Sequence, residues 1–285
     1  MLFAYSTSIY RFRPLSEAIE GIARNGFCAV ELIADRPHAL PEDLKAAEIT
    51  ALRQCLDQRK MKITNLNSCV VTALGDARNP SWLDEDWMQR ETRIRYTLDC
   101  VRMAAAMGIP YVSTKAGGVI PSTMNFKDAW RLFVADLHRV IPIVKKLGVK
   151  LLLQPEPGSL VETSEQTVDL LKEFEFDPFL GINFDPGHFF CVGEDPCEAW
   201  DKQKSHVLHV HLEDIPDGLA HRHIQLGDGI MDIPAFLGCV KESDYQGYVT
   251  MKLDFYDQQA EEVIAASAAY LREKGFMPSS AETCS

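Results

Sequence analysis

The sequence alternates short apolar or β-branched runs with longer helical patterns, and this alternation limits the fold more than any other feature. Eight such pairs can be counted along the 285 residues. Strands that alternate with helices form parallel sheets, because each helix returns the chain to the edge where the next strand begins. The segment Met107–Pro110 ends a helix with Gly and Pro, and a similar junction recurs at Lys146–Val149. A junction repeated in a regular order favours a closed barrel over an open sheet.

We therefore predict an α/β fold, a single-domain (β/α)8 TIM barrel, over residues 1–277, with a disordered tail at residues 278–285. The predicted strands are 2–6, 28–33, 62–68, 110–115, 149–155, 180–185, 206–212 and 248–254. The predicted helices lie near 14–25, 43–59, 84–108, 125–147, 163–174, 195–203, 232–242 and 257–274.

Composition and charge exclude several classes of function. The formal net charge is −12 and no basic stripe is visible, so nucleic acid is not expected as a partner. No run of 18 apolar residues is present, and the N-terminus begins as a strand without a basic signal-peptide start. The eight irregularly spaced cysteines indicate reduced, mostly buried thiols. We expect a cytoplasmic protein without a membrane partner, and a homodimer is an open alternative to a monomer.

Two long loops follow predicted strands, at residues 69–83 and 213–231. Barrel enzymes place their active sites in the loops at the carboxyl ends of the strands. Trp82 and Trp87 favour a substrate lid at the first loop, against the alternative of a disordered insert.

Four consecutive predicted strands end in side chains that metals bind. These ends are Gln154-Pro155-Glu156, Asn183-Phe184-Asp185-Pro186-Gly187-His188, His209-Val210-His211-Leu212-Glu213-Asp214 and Lys252-Leu253-Asp254. Taken singly, Asp185 before Pro-Gly is typical of a turn, and His211 is typical of a core histidine. Because neighbouring strand ends converge in a barrel, Glu156, Asp185 and His211 together predict a shared metal or catalytic site.

These motifs resemble the signature of the xylose-isomerase-like superfamily, which includes sugar isomerases and epimerases, hydroxypyruvate isomerase, inosose dehydratase and apurinic/apyrimidinic endonucleases. The resemblance extends from Ala29 through Lys252. It implies a divalent metal held by Glu156, Asp185 and His211. The expected ion is Mn²⁺, with Mg²⁺, Co²⁺ and Zn²⁺ as alternatives.

The same resemblance implies substrate contacts from His188, His223, Glu162 and Arg222. Glu162 resembles a second carboxylate of some epimerases, but it also directly precedes the predicted helix start at Thr163. Arg222 resembles an arginine that binds a substrate oxygen or phosphate, and a surface arginine is the alternative.

The segment 221–229 also resembles part of the endonucleases, in which such residues hold an additional Zn²⁺. His188, His221 and His223 match those positions, so they either bind a second metal or line a polyol pocket. The other endonuclease histidines are missing, since predicted strands three and four end in Asn65-Leu66-Asn67 and Thr114-Lys115. Together with the acidic charge, this argues against a DNA-repair enzyme.

Lys252 departs from the resemblance, which places a glutamate at the end of the eighth strand. A lysine ammonium repels a nearby cation. Lys252 therefore swings away, replaces the metal, or acts as a neutral base with a lowered pKa. We expect its ammonium beside Glu156 and Asp185. Asp254 lies ~6–7 Å further along the strand and is a poor substitute for the missing ligand.

The leading hypothesis is a metal-dependent isomerase or epimerase, or a related dehydratase, for a sugar, keto-sugar or cyclitol. In the resembling enzymes a carboxylate removes the proton next to a metal-polarised carbonyl. Glu156 is the predicted base and Lys252 its acid–base partner. The alternatives are a phosphoesterase-like hydrolase with several metals, and a non-catalytic barrel that binds a sugar or a protein.

Overall fold

Eight parallel strands close into a barrel in the computed structural model, which describes residues 1–278. The strands are β1 (Leu2–Ser6), β2 (Ala29–Ile33), β3 (Lys62–Asn67), β4 (Tyr111–Lys115), β5 (Lys150–Gln154), β6 (Leu180–Phe184), β7 (Val207–Leu212) and β8 (Tyr248–Met251). Their order follows the sequence, and β1 pairs with β8 to complete the ring. The predicted barrel is confirmed. Strand ends agree within one residue, except that β8 stops at Met251 and leaves Lys252 in the following loop.

The helices pack outside the strands. They are α1 (Leu15–Arg24), α2 (Ala46–Gln58), α3 (Trp87–Met107), α4 (Phe126–Leu147), α5 (Ser164–Glu173), α6 (Pro186–Cys191), α7 (Pro196–Gln203), α8 (Ile233–Glu242) and α9 (Ala260–Glu273). The short helix α6 was not predicted, because six residues are too few to show a helical period. Asp185 caps it and Pro186 occupies its first turn, so the Asp-Pro-Gly sequence starts a helix.

An aromatic cluster joins the elements that carry the later site residues. The Phe184 ring of β6 lies 4.7 Å from Phe189 of α6, 5.3 Å from Trp200 of α7 and 5.7 Å from Phe236 of α8, measured between centroids. All four side chains are buried. Such contacts fix the carboxyl end of β6 and the helices beside it.

The barrel interior contains buried polar residues where many barrels are filled by aliphatic ones. The His209 Nδ1 atom donates to the Asn183 side-chain oxygen at 2.9 Å. Its Nε2 atom accepts from the Thr250 hydroxyl at 2.9 Å, and the Thr64 hydroxyl oxygen lies 3.3 Å away. Burial lowers the pKa of His209 to about 3, so the ring is neutral. His209 is therefore a satisfied core histidine.

The loop at residues 69–83 is packed against the barrel. Trp82 is fully buried, and its indole nitrogen donates to the Thr114 hydroxyl at 2.9 Å. Asp35 accepts bonds from the backbone nitrogens of Thr72 and Ala73, at 2.7 and 3.0 Å. Trp87, in contrast, is 61% exposed at the start of α3. The loop is thus an ordered wall beside the barrel mouth, and a disordered insert is the wrong alternative.

A disulfide between α7 and α8 differs from the expected reduced thiols. Cys197 and Cys239 are bonded, with their Cα atoms 6.0 Å apart. Their separation of 42 residues in the chain gives no pairing signal, whereas neighbouring helices bring them within disulfide range. The free thiols among the described residues are Cys55, Cys69, Cys100 and Cys191, of which Cys100 is buried.

Within residues 1–278 no helix combines the length and apolar character needed to cross a membrane. The predicted tail lies outside the described residues, apart from Pro278.

His38 generates a stability prediction that is independent of the barrel mouth. The ring accepts from the Thr7 hydroxyl at 3.0 Å and donates to the carbonyls of Tyr10 and Arg13, each at 3.0 Å. Burial lowers its pKa from 6.5 to about 4. Because the folded pKa lies below the unfolded one, this contribution is complete above about pH 6.5 and is lost as pH falls towards 4. We expect His38 to account for a loss of up to about 3 kcal/mol of unfolding free energy.

The measurement is urea unfolding of the wild type and of the non-titrating His38→Gln variant, near pH 7 and near pH 4. The difference between the two proteins should shrink on acidification. A difference that stays constant would contradict the assignment.

Candidate active site

The polar side chains singled out from the sequence lie at one face of the barrel, because parallel strands all end there. Glu156 follows β5, Asp185 follows β6, His211 lies near the end of β7 and Lys252 follows β8. Lys115, the last residue of β4, lies at the same face. The barrel therefore places carboxylates, imidazoles and ammonium groups within one region.

Asp185 is the carboxylate on which the site converges. Its Oδ1 atom accepts from the His188 backbone nitrogen at 3.2 Å, which caps α6. Its Oδ2 atom lies 3.4 Å from His188 Nε2, 3.5 Å from His211 Nδ1 and 3.4 Å from the Gln154 amide nitrogen. Burial raises the pKa of Asp185, but the surrounding histidines outweigh it and hold the pKa well below its usual range. Asp185 is thus a buried, ionised carboxylate.

The two nitrogens of His211 have different surroundings. Nε2 donates to Glu31 Oε2 at 2.7 Å, whereas Nδ1 faces Asp185 without a hydrogen bond. Both His211 and Glu31 are fully buried. Burial lowers the pKa of His211, but the two carboxylates raise it to about 9. The ring therefore carries a proton on each nitrogen at neutral pH unless a cation replaces the proton on Nδ1.

Three imidazoles bring their Nε2 atoms together, and we call His188, His221 and His223 the histidine cluster. The Nε2 atom of His188 lies 2.9 Å from that of His221 and 3.3 Å from that of His223. The Nδ1 atoms of His188 and His223 donate to the carbonyls of Pro155 and Lys252, at 2.7 and 2.8 Å. In neutral rings, those bonds leave Nε2 lone pairs facing one another.

The three imidazoles differ in exposure: His188 is buried, His223 is partly buried and His221 is exposed at the rim. Burial lowers the pKa of His223 to about 4, and the pKa of His221 is also lowered. A bound cation would satisfy the opposed lone pairs. The Nδ1 atoms of His188 and His223 donate to backbone carbonyls, and metal-binding histidines are commonly oriented by such bonds.

Glu213 adds a second carboxylate beside Asp185. Its Oε1 atom accepts from the Gly187 backbone nitrogen at 3.1 Å, and its Oε2 atom has no hydrogen-bond partner. Glu213, Asp185 and His223 offer ligand atoms that all lie within 4.8 Å of one another. Burial and the charge of Asp185 raise the pKa of Glu213 well above its usual range. Either a proton or a cation must lie between these two carboxylates.

Glu156 forms an ion pair with Lys115 at the edge of this region. The Lys115 ammonium lies 2.9 and 3.1 Å from the two carboxylate oxygens. Both side chains are largely buried, with 17% and 22% exposure for Lys115 and Glu156. Burial raises the pKa of Glu156, but Lys115 and then His188 lower it below its ordinary value. The pair is therefore a charged acid–base couple next to the histidine cluster.

Lys252 has a different partner from the one expected. Its ammonium donates to both oxygens of Asp254, at 2.6 and 2.7 Å. The expectation that Glu156 and Asp185 hold it is wrong. The reason is that β8 ends at Met251, so Lys252 and Asp254 lie in a loop whose backbone brings them together. Burial raises the pKa of Asp254, but Lys252 lowers it to about 2.

Glu162 and Arg222 lie at the margin of the site. The Glu162 carboxylate accepts from the Gly158 backbone nitrogen at 2.7 Å, and Thr163 caps α5 directly after it. Arg222 is exposed, and no ion pair of its side chain is found within residues 1–278. The observed contacts are structural ones, and the substrate roles of both residues stay predictions.

The structure groups the site residues differently from the predicted metal triad. Groups whose ligand atoms lie within 4.8 Å of one another, among the described residues, are His188-His221-His223, Glu31-His209-His211 and Asp185-Glu213-His223. Glu156 belongs to none of them, because Lys115 binds its carboxylate on the side of β4. Asp185 and His211 do approach each other. The ligand role of Glu156 stays a prediction.

Three contributors were not singled out from the sequence. Lys115 is the last residue of β4, and Glu156 follows the end of β5. The reasoning from strand ends that identified Glu156 therefore also applies to Lys115. Glu213 follows His211 by two residues and shares its face of the chain. Glu31 is the one charged residue in the otherwise apolar strand Ala29–Ile33. A charged residue within an apolar strand is the sequence signal that could have identified it as a site residue.

The residues present fit a divalent metal. Two buried polar atoms, His211 Nδ1 and Glu213 Oε2, lack hydrogen-bond partners, and both belong to side chains beside Asp185. Two ligands bonded ~2.1 Å from a tetrahedral cation lie ~3.4 Å apart. The distances of Asp185 Oδ2 from His188 and His211 are 3.4 and 3.5 Å. Mixed imidazole and carboxylate donors suit Zn²⁺, Co²⁺ and Mn²⁺ better than Mg²⁺.

Comparison with known proteins agrees with the resemblance found in the sequence. Inosose dehydratase from Geobacillus kaustophilus is 28% identical over 141 residues, which cover 44% of this chain and 46% of that enzyme. The chain thus spans about half the length of the curated relatives that it matches.

Solved structures share the fold over nearly the whole chain. A D-tagatose 3-epimerase-like protein has a TM-score of 0.76 at 23% identity, covering 96% of this chain and 99% of its own. The IOLI protein with a binding zinc atom has a TM-score of 0.79 at 19% identity, covering 96% and 98%. The model of the xylose isomerase-like TIM barrel family matches residues 19–274. The chain belongs to the xylose isomerase-like TIM barrel family.

Proposed function

We propose that this chain is a divalent-metal-dependent enzyme that removes the proton next to a carbonyl group of a keto-sugar or keto-cyclitol. The outcome is isomerisation, epimerisation or dehydration. The observation that carries the proposal is the juxtaposition of a charged Glu156–Lys115 pair with buried, unpartnered metal-binding atoms around Asp185. Similarity to an inosose dehydratase and to an epimerase-like barrel supports this class of substrate.

Asp185 and His211 are the proposed metal ligands, with Glu213 and the histidine cluster as further donors. Bound there, a divalent cation would polarise the carbonyl and an adjacent hydroxyl of the substrate. Zn²⁺, Co²⁺ and Mn²⁺ are the candidates, and the zinc of the IOLI structure supports the first of them. The expectation of Mn²⁺ as the native ion is untested.

Glu156 is the proposed base. Its lowered pKa keeps the carboxylate ionised at neutral pH, and the Lys115 ammonium holds both oxygens at the rim of the site. The proton leaves the substrate carbon for a Glu156 oxygen. Lys115, as the neighbouring cationic acid, then returns a proton to carbon or supplies one to a departing hydroxyl, which leaves as water. Lys115 thus takes the role that the sequence suggested for Lys252, whose ammonium is bound to Asp254.

The first test is deuterium incorporation into inosose and ketohexoses in D₂O, followed by proton NMR with Zn²⁺, Co²⁺ or Mn²⁺ present. We expect metal-dependent exchange at the carbon next to the carbonyl. Glu156→Gln should slow it by at least ~100-fold, because general-base catalysis commonly contributes that much. The matched control is Glu165→Gln, an exposed glutamate on α5.

Two results of this test would count against the proposal. One is exchange that is equally fast in wild type and Glu156→Gln. The other is phosphate-ester hydrolysis with two or more metals per chain and no exchange, which would favour the phosphoesterase alternative.

Lys115 generates a second prediction. Replacing Lys115 by Met removes the cation that lowers the pKa of Glu156 and leaves its burial in place. The pKa of Glu156 should therefore rise above its wild-type value and above the ordinary 4.5.

The measurement for Lys115→Met is NMR titration of ¹³C-labelled glutamate side chains, with Glu156 assigned by mutation. The exposed Lys127→Met is the control and should leave that titration unchanged. An unchanged Glu156 pKa in Lys115→Met would show that the pair does not persist in solution.

A further inference from the structure

We infer that Glu31 is a positioning residue: its carboxylate orients His211 so that Nδ1 faces Asp185, and it thereby sets the metal affinity of the site. This inference rests on the proposed function, because it takes His211 as a metal ligand. Glu31 lies in β2, on the opposite side of the His211 ring from Asp185, as the bonding of the two ring nitrogens requires.

The hydrogen bonds around Glu31 identify it as an acceptor. Oε2 accepts from the Asn65 amide at 2.9 Å and from His211 Nε2 at 2.7 Å. Oε1 accepts from the Asn67 amide at 3.1 Å. Amide nitrogens can only donate, so each oxygen of Glu31 accepts at least one hydrogen bond. The Asn183 amide nitrogen lies 3.2 Å from His211 Nε2, but Glu31 Oε2 is closer, at 2.7 Å. Because a carboxyl group is a stronger acid than an imidazolium, the hydrogen between Glu31 and His211 belongs to Nε2.

This bond determines what the other nitrogen can do. When a cation replaces the proton on Nδ1, the hydrogen that stays on Nε2 leaves the lone pair of Nδ1 free to bind that cation. In His211 that atom is buried, lacks a hydrogen-bond partner and lies 3.5 Å from Asp185 Oδ2. Glu31 thus fixes both the tautomer and the direction of the ring. It also increases the basicity of the nitrogen that would bind the metal.

Glu31 is itself held rigidly. Asn65 also donates to the Ser113 hydroxyl of β4 at 2.8 Å, and the Asn67 side-chain oxygen accepts from the Cys69 backbone nitrogen at 3.0 Å. The carboxylate is therefore fixed by β3 and β4, and it transmits that position to β7. A rotation of His211 would break a charged hydrogen bond in a fully buried region.

The test compares the metal affinity of Glu31→Gln with that of the wild type, by competition with a chromogenic chelator for Zn²⁺ and Co²⁺. We expect a 10- to 100-fold weaker affinity, the range found when the partner of a metal-binding histidine is removed. The visible spectrum of the Co²⁺-loaded variant should also change, because the His211 ring is no longer held in one orientation.

Asp35→Asn is the matched control. Asp35 is also a fully buried carboxylate and follows β2, but it binds Arg11 and the 69–83 loop rather than His211. It should leave the metal affinity within about threefold of wild type, so that any larger loss in Glu31→Gln is specific. If Glu31→Gln does not fold, Glu31→Asp replaces it: this variant keeps the charge but withdraws the carboxylate by about 1.5 Å. It should also weaken binding.

His211→Ala separates this inference from the proposed function. If His211→Ala loses the metal while Glu31→Gln binds it as tightly as the wild type, with an unchanged Co²⁺ spectrum, the role of Glu31 is overturned and the metal site stands. If His211→Ala also binds as tightly as the wild type, His211 is not a ligand, and both the inference and the proposed ligand set are overturned.

Discussion

The architecture of the site depends on the electrostatic problem created by Asp185. This ionised carboxylate is fully buried, and a buried charge is costly unless other groups compensate it. A hydrogen bond from the backbone at the start of α6 supplies part of the compensation. The remainder comes from nitrogens that approach to 3.4–3.5 Å, whereas a second carboxylate, Glu213, adds further negative charge. A divalent cation would neutralise this excess and occupy the unpartnered atoms.

The barrel supplies the rigidity that such an arrangement needs. Three imidazoles near Asp185 are oriented by hydrogen bonds from their other ring nitrogens. His211 donates to Glu31, and His188 and His223 donate to backbone carbonyls. Because those partners belong to different strands or their following loops, strand pairing sets the relative positions of the ligand atoms. Polar residues inside the barrel, such as Glu31, replace apolar packing that would stabilise the fold more simply. Buried polar groups of this kind are typical of functional sites.

The fold could be predicted from the sequence far more completely than the site. Periodicity and repeated junctions determined all eight strands, because those patterns follow from local geometry. The residues at the strand ends predicted Asp185 and His211, and the resemblance to the endonucleases predicted the histidine cluster. Neither pattern predicted that Lys115 binds Glu156 or that Lys252 binds Asp254, since these contacts depend on side-chain directions and on where β8 ends. The Cys197–Cys239 bond could not be predicted either, because only the packing of α7 against α8 brings these two residues together.

The most direct test of the central claim is anomalous X-ray diffraction at the zinc or cobalt absorption edge, on crystals grown with that metal. We expect a peak within bonding distance, ~2.0–2.2 Å, of an Asp185 oxygen and of His211 Nδ1. A metal that binds only at the protein surface, or a histidine cluster and Asp185 that remain free of metal at saturating concentration, would contradict it.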